Sequence, residues 1–216
     1  FLRHPDCQLV GVCDVSEKKA SDFAVVWSSP FSTTDFKKLL SKCKPDLLSI
    51  CSPTETHLQF FEQACVSGVS VIWMEKPAAE SSAQVIEMLR LVKKYKVSVW
   101  VNYIRRYDVG FRKLKKKLDD GVIGTLQYVG AFYTKGFRHN GSHMINLIYW
   151  LFGSIKEFQL SGLIDDSIYP SISATLRTEV VAINLVALNY KYYELFELDI
   201  IGSKGRIIVK DGGQVI

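Results

Sequence analysis

The sequence predicts an α/β domain built on a doubly wound parallel sheet, followed by an α+β domain with an open, mainly antiparallel sheet. Three observations predict this. Over roughly the first hundred residues, short apolar runs alternate with helix-like segments, the pattern of a parallel sheet covered on both faces by right-handed crossovers. After Arg106 that alternation stops, and from Ile155 onward consecutive strand-like runs are joined by short turns, which implies antiparallel pairing. The composition is that of a globular chain: 216 residues, 48% hydrophobic, 12% aromatic and 23% charged. That excludes a disordered chain, a collagen-like repeat and a disulfide-stapled miniprotein. The predicted domains are residues 1–104 and 105–216.

The elements follow in order. Leu9 to Cys13 is an apolar run closed by Asp14, and Ser16 to Ala24 is helix-compatible. Asp35 to Cys43 carries Phe36, Leu39 and Leu40 at helical spacing, and Pro45-Asp46 leads into a second apolar run, Leu47 to Cys51. A helix is predicted over Thr56 to Ser67, ending at Gly68, and a third strand over Val69 to Met74. Ser81 to Tyr95 reads as an amphipathic helix with Val85, Met88, Leu89 and Val92 on one face and serine at its start as a cap. Val97 to Tyr103 is rich in β-branched and aromatic residues. Beyond it, Val109 to Leu118 is a basic helix, Leu126 to Tyr133 a strand, and Gly141 to Phe152 a helix stopped by Gly153. Five strands complete the chain, Phe158 to Ile164, Ser171 to Thr178, Val180 to Tyr190, Tyr193 to Ile201 and Arg206 to Val209. Their turns are expected at Asp165-Asp166, Asn189-Tyr190 and Gly202 to Gly205.

The charge balance is +5, from 27 Lys and Arg against 22 Asp and Glu. Much of the excess lies in Lys93-Lys94 and Lys115-Lys116-Lys117, which read as solvated helix faces. No basic stripe interleaves with aromatic residues, so nucleic acid is not expected as a partner. The five cysteines, Cys7, Cys13, Cys43, Cys51 and Cys65, form no C-x-x-C pair. They are expected to be mostly small buried residues in a reducing, cytoplasmic compartment. No apolar stretch approaches the roughly 18 residues of a membrane span, and the first residues do not resemble a signal peptide.

Asp14 ends an apolar strand, where a dinucleotide site needs a carboxylate to accept the ribose hydroxyls and repel a 2′-phosphate, favouring NAD over NADP. Taken alone, a turn residue or helix cap accounts for it more simply. A G-x-G-x-x-G phosphate loop belongs about 20 residues earlier, and only 13 residues precede Asp14. The first strand and glycine loop are therefore expected to lie outside this chain, leaving two unpaired sheet edges. Ser52, Pro53 and His57 follow another strand, at the carboxyl edge where open α/β sheets bind ligands; a strand-to-helix turn is the plain alternative. Glu75-Lys76-Pro77 caps a third strand at the same edge. A lysine there can stabilise negative charge developing on a substrate oxygen, and the following proline holds it extended. Asn140, His143 and Asn146 fall three apart on one helix face, opposite Met144, Leu147, Ile148 and Leu151. Such a polar stripe must meet solvent or line a polar cavity. His143 suits acid–base work; a cap at Asn140 with a satisfied core histidine is the bland alternative. No ligand spacing supports a metal site.

Taken together, these residues resemble the Gfo/Idh/MocA oxidoreductases, the glucose–fructose oxidoreductase and inositol dehydrogenase family. The likeness lies in the order of Leu9 to Asp14, Lys44-Pro45-Asp46, Ser49 to Pro53 with His57, Glu75-Lys76-Pro77, Tyr103 to Tyr107, Asn140 to His143, and Ile201 to Gly205. It implies a Rossmann domain and an α+β domain whose sheet serves as a dimer or tetramer interface. It further implies NAD(P)-dependent hydride transfer at a carbinol or carbonyl of a sugar, nucleotide sugar or polyol. By the resemblance, Lys76 and His143 are catalytic, with Asn140 at a position that is Asp in many members. Asn146 stands where polyol-oxidising members often carry a second Asp. Arg105 matches an arginine near cofactor and substrate, while Ser52, Pro53, His57, Glu75 and Lys76 match loops around the nicotinamide. Lys76 and His143 are expected to converge on one cavity and touch one sugar oxygen. The alternative is a non-catalytic family member that keeps the oligomerising sheet and a sugar pocket.

Overall fold

The computed structural model describes residues 4–164, 169–210, 212 and 214–215. The chain divides into two compact units between Asn102 and Tyr103. The residues before His4 and the expected turn at Asp165-Asp166 lie outside the described residues.

The first unit alternates strand and helix: β1 (Val12–Cys13), α1 (Glu17–Val26), β2 (Ser32–Thr33), α2 (Phe36–Cys43), β3 (Leu47–Ile50), α3 (His57–Val66), β4 (Val71–Met74), α4 (Ser82–Tyr95) and β5 (Ser98–Val101). Side chains start three of these helices. Ser16, Asp35 and Ser81 each accept a backbone N–H three residues on, a cap worth about 0.5–2 kcal/mol apiece. All the strand pairs are parallel. β3, β4 and β5 form one sheet with Leu47 opposite Val71 and Val71 opposite Ser98, and β1 pairs with β2 in a second. Among the described residues no strand joins the two sheets. β2 is a short strand that the sequence pattern did not reveal. Leu9 to Gly11 stay outside the ladder, so β1 is shorter than its apolar run.

The core of this unit is built from Leu48 and Ile50 of β3, Ile72 and Met74 of β4, and Phe61 and Ala64 of α3. The face of α4 differs from the expected one. Met88 and Leu91 are buried, whereas Leu89 is 54% exposed and Val85 is exposed as well. Cys65 alone of the cysteines is buried; Cys7 and Cys51 are exposed and Cys13 and Cys43 lie between. The expected general burial of the thiols is therefore corrected: Cys13 and Cys43 only partly bury against the core, and Cys7 and Cys51 lie in exposed irregular segments.

The second unit contains α5 (Val109–Asp119), β6 (Leu126–Tyr133), α6 (Ser142–Phe152), β7 (Glu157–Ile164), β8 (Ser171–Arg177), β9 (Ala182–Ala187), β10 (Phe196–Gly202), β11 (Gly205–Lys210) and β12 (Gln214–Val215). The sheet order is β12-β11-β10-β6-β9-β8-β7. Every pair is antiparallel except β6 with β9, which run parallel with Val129 opposite Ile183. Alternate residues of the central strands (Val129, Ala131 and Tyr133; Ile183 and Leu185; Leu198 and Ile200) face a common core with Phe111 and Leu114 of α5 and Met144, Leu147 and Ile148 of α6. The lysines of α5 meet carboxylates one turn on, Lys115 with Asp119 and Lys116 with Asp120, so that basic run is a solvated helix face. The β10–β11 hairpin closes tightly onto the 121–124 turn: Lys204 N–H donates to the Ile123 carbonyl at 2.8 Å. A Cβ on Gly202 would lie 2.1 Å from that oxygen, so only glycine fits.

Candidate active site

In the first unit the site residues sit at the carboxyl ends of parallel strands. Asp14 follows β1, and its Oδ1 accepts the Ser16 N–H at 2.8 Å. Its other oxygen has no partner among the described residues. Ser52 and Pro53 follow β3, with Thr56 Oγ1 2.7 Å from both Ser52 Oγ and the Pro53 carbonyl. His57, only 1% exposed, is engaged by the main chain on both ring nitrogens: Nδ1 lies 3.1 Å from the Pro77 carbonyl and Nε2 2.9 Å from that of Ser52. It staples the loop after β3 to the loop after β4.

Glu75 extends β4, its N–H donating to the Ile50 carbonyl at 2.9 Å. Its Oε1 accepts the side-chain amide of Asn102 at 2.6 Å. Asn102 follows β5, so this bond ties two adjacent strand ends together. Nothing in the sequence pattern singled Asn102 out, since an Asn after a strand reads as an ordinary turn residue. Lys76 is half-buried, and the Lys76–Pro77 peptide is cis.

In the second unit, the predicted polar stripe enters α6 through a wide π-helical turn, Gly136–Gly141. Such turns recur at functional sites because the extra residue re-aims the side chains that follow. Lys135 and Gly136 both adopt left-handed backbone, φ 63° and 78°. Asn140 and His143 are each only 7% exposed. Asn140 does not cap α6: the helix continues backward through helical Gly141 with no side-chain cap. Among the described residues the Asn140 amide has no hydrogen-bond partner. Met144, Leu147, Ile148 and Leu151 form the buried opposite face, as the spacing predicts.

A short 3₁₀ turn, Ile104–Arg106, packs on α6. The Tyr103 ring meets the His143 ring edge-on, 5.7 Å between centroids. Burial pushes the Tyr103 hydroxyl above its ordinary pKa, with Arg106 pulling weakly the other way. Arg106 Nε donates to Asn146 Oδ1 at 2.7 Å. The Arg105 guanidinium lies 3.7 Å from the centroid of the Phe196 ring, a cation–π contact. Its Nε is buried without a hydrogen-bond partner among the described residues, and burial alone lowers its pKa. The unit therefore gathers Tyr103, Arg106, His143 and Asn146 around one helix face. Tyr103 and Arg106 escape sequence reasoning because helix spacing cannot say which loop packs on a helix.

Residues 1–103 match the oxidoreductase family with an NAD-binding Rossmann fold. The first unit thus matches the Gfo/Idh/MocA oxidoreductases. The chain is 27% identical to inositol 2-dehydrogenase of Rhizobium meliloti, across 95% of this chain and 69% of that protein. It is 31% identical to the uncharacterized oxidoreductase YrbE of Bacillus subtilis, across 57% of this chain and 36% of that one. The chain thus spans only about a third of the length of several curated relatives it matches. The crystal structure of the WlbA dehydrogenase from Bordetella pertussis, in complex with NADH and UDP-GlcNAcA, superposes with a TM-score of 0.82. It covers 97% of this chain and 68% of that one at 18% identity, a likeness of fold alone. The Gfo/Idh/MocA fold expected from the sequence, a Rossmann unit followed by a mainly antiparallel sheet, is the fold observed.

Among the described residues no group of three His, Cys, Asp or Glu is placed to hold a metal ion, and no helix is long and apolar enough to cross a membrane.

Proposed function

We propose that the chain catalyses NAD-dependent hydride transfer at a carbinol or carbonyl of a sugar, nucleotide sugar or polyol. The observation that carries this reading is a buried histidine on α6, met edge-on by Tyr103 and followed one turn on by Asn146 in the grip of Arg106, in a chain whose Rossmann part matches an oxidoreductase family. The residues of the first unit fit a dinucleotide. Asp14 offers a carboxylate oxygen at a strand end, suited to ribose hydroxyls and repellent to a 2′-phosphate, which favours NAD over NADP. Ser52, Pro53 and Glu75 stand at the neighbouring strand ends, with His57 and Asn102 holding those loops in place. The chemistry that nicotinamide supplies when bound is hydride acceptance and donation.

The chain's own groups handle the proton and the charge. In oxidation, His143 takes the hydroxyl proton. Lys76, at a strand end of the first unit, is the proposed group for stabilising negative charge that develops on a substrate oxygen. Asn140, buried with an unused amide, orients a neighbouring hydroxyl. Tyr103 walls one edge of the imidazole and limits access of water.

Acid–base assistance is worth on the order of 10²–10⁴ in rate. Lys76→Ala or His143→Ala should therefore lower turnover by at least about 100-fold with circular dichroism unchanged. Turnover near wild type in either variant refutes the assignment and favours a non-catalytic family member.

We also propose that the second unit's sheet forms a homodimer or homotetramer. β7 is exposed on both faces, with Phe158 and Leu163 each 70% exposed, an uncovered apolar edge of the kind that marks an interface. The unpaired thiols fit a reducing, cytoplasmic setting. A monomer in light scattering at micromolar concentration would overturn the oligomer.

A further inference from the structure

Two arginines beside the polar stripe of α6, Arg105 and Arg106, have no carboxylate partner among the described residues. An arginine side chain has only donors. The bond from Arg106 Nε to Asn146 therefore fixes the amide with its oxygen toward the guanidinium. The Asn146 NH₂ is turned away, and it has no partner among the described residues. Arg106 also reaches the Asn146 main-chain carbonyl at 3.4 Å. A carboxylate at position 146 would neutralise Arg106; the neutral amide leaves its full charge in place.

The neighbouring arginine is in the same state. Arg105 rests on Phe196, its Nε buried without a partner among the described residues. Phe196 pairs with Tyr133 in the β6–β10 ladder, and Tyr133 lies against Gly141, between Asn140 and His143. Two carboxylates close to these residues in sequence are committed elsewhere. Asp108 caps α5 through the Gly110 and Phe111 N–H groups, and Glu194 pairs with Lys135 at 2.6 Å. Partly buried charge without a counterion is costly, and an array of arginine and amide donors is suited to carboxylate or phosphate oxygens.

We infer that this site selects a sugar carrying an anionic group, a carboxylate or a phosphate, over a neutral sugar or polyol, with Arg105 meeting the anion and Arg106 acting as a positioning residue that holds the Asn146 NH₂ outward. The inference rests on the proposal that the second unit binds the sugar, and narrows its class.

Titration calorimetry of the chain tests it, with glucuronate, glucose 6-phosphate, glucose and myo-inositol as probes, each with and without saturating NADH. At least one acidic sugar should bind about tenfold or more tighter than glucose, and the preference should shrink as salt rises. Which acidic probe binds decides between carboxylate and phosphate. Arg105→Met should abolish the preference. Asn146→Asp, which returns a carboxylate to Arg106, should weaken it; thermal melting checks that both variants are folded. Equal or tighter binding of the neutral probes overturns the inference and leaves the dehydrogenase reading standing. So does an anion preference that Asn146→Asp leaves undiminished, or one that NADH eliminates, which would assign the charge to the cofactor's phosphates. A chain that binds neither acidic nor neutral sugars overturns both proposals.

Discussion

Replacing Gly141 with alanine should cost the second unit about 1 kcal/mol and slow any chemistry that depends on Asn140 and His143. Two effects oppose each other. Gly141 has helical angles, φ −57° and ψ −42°, so alanine fits the backbone, and the exchange favours a helix by about 1 kcal/mol. Space works the other way. A Cβ at Gly141 would lie 2.9 Å from a Phe137 ring carbon and 3.1 and 3.3 Å from two ring carbons of Tyr133. Relaxed carbon pairs sit about 3.5–4.0 Å apart. Phe137 is half-buried on the same turn and can swing aside. Tyr133 cannot, because it is fully buried and its hydroxyl is fixed at both ends. That hydroxyl donates to the Ile172 carbonyl at 2.7 Å and accepts the Ile172 N–H at 3.1 Å. Overpacking of this kind costs about 1–3 kcal/mol, so a net loss near 1 kcal/mol remains once helix propensity is subtracted. Urea unfolding followed by circular dichroism should show a midpoint lower by about 0.3–1 M at unchanged slope. Combining Gly141→Ala with Tyr133→Phe, which frees the ring, should cost less than the sum of the two single losses. A midpoint raised by alanine, with strict additivity in the double variant, would refute the claim that Tyr133 is locked beneath the turn.

Three further outcomes are expected. Asp14→Ser removes the carboxylate that repels a 2′-phosphate. It should shift the ratio of kcat/KM for NAD over NADP by roughly tenfold or more toward NADP, and an unchanged ratio would remove Asp14 from the cofactor site. A charged maleimide added to the native chain should label Cys7 and Cys51 first and Cys65 only on unfolding, since the first two are exposed and the last is buried. Burial pushes the Cys65 thiol up to about 11 from the ordinary 9.0. The folded state thus holds its proton where the unfolded chain has lost it. The associated stability is complete below about pH 9 and drains away as pH rises to about 11; Cys65→Ala should flatten the melting temperature across that window. Leu147→Ala opens a cavity in the fully packed face of α6 and should cost about 2–5 kcal/mol in urea; a loss under about 1 kcal/mol would mean that the face repacks.

Period and punctuation in the sequence determined the element types, the parallel-then-antiparallel division and the buried face of α6, because each depends on residues close in the chain. The same local logic placed Asp14, Ser52 and Glu75 at strand ends and put Asn140, His143 and Asn146 on one stripe. It failed where distant segments meet. β2 is two residues long and forms only because β1 lies beside it, and β6 pairs parallel with β9 across an intervening pair of strands. The exposure of Leu89 follows from which side of α4 meets the sheet, something helical spacing leaves open. Tertiary structure also decided the chemistry of the polar groups. Asn102 reaches Glu75 from another strand, Arg106 reaches Asn146 from another loop, and His57 is held by two separate carbonyl-bearing segments. A hydrogen bond is made between atoms a few ångströms apart in space. Residues separated by 20 to 40 positions carry no mark in the sequence of being its partners.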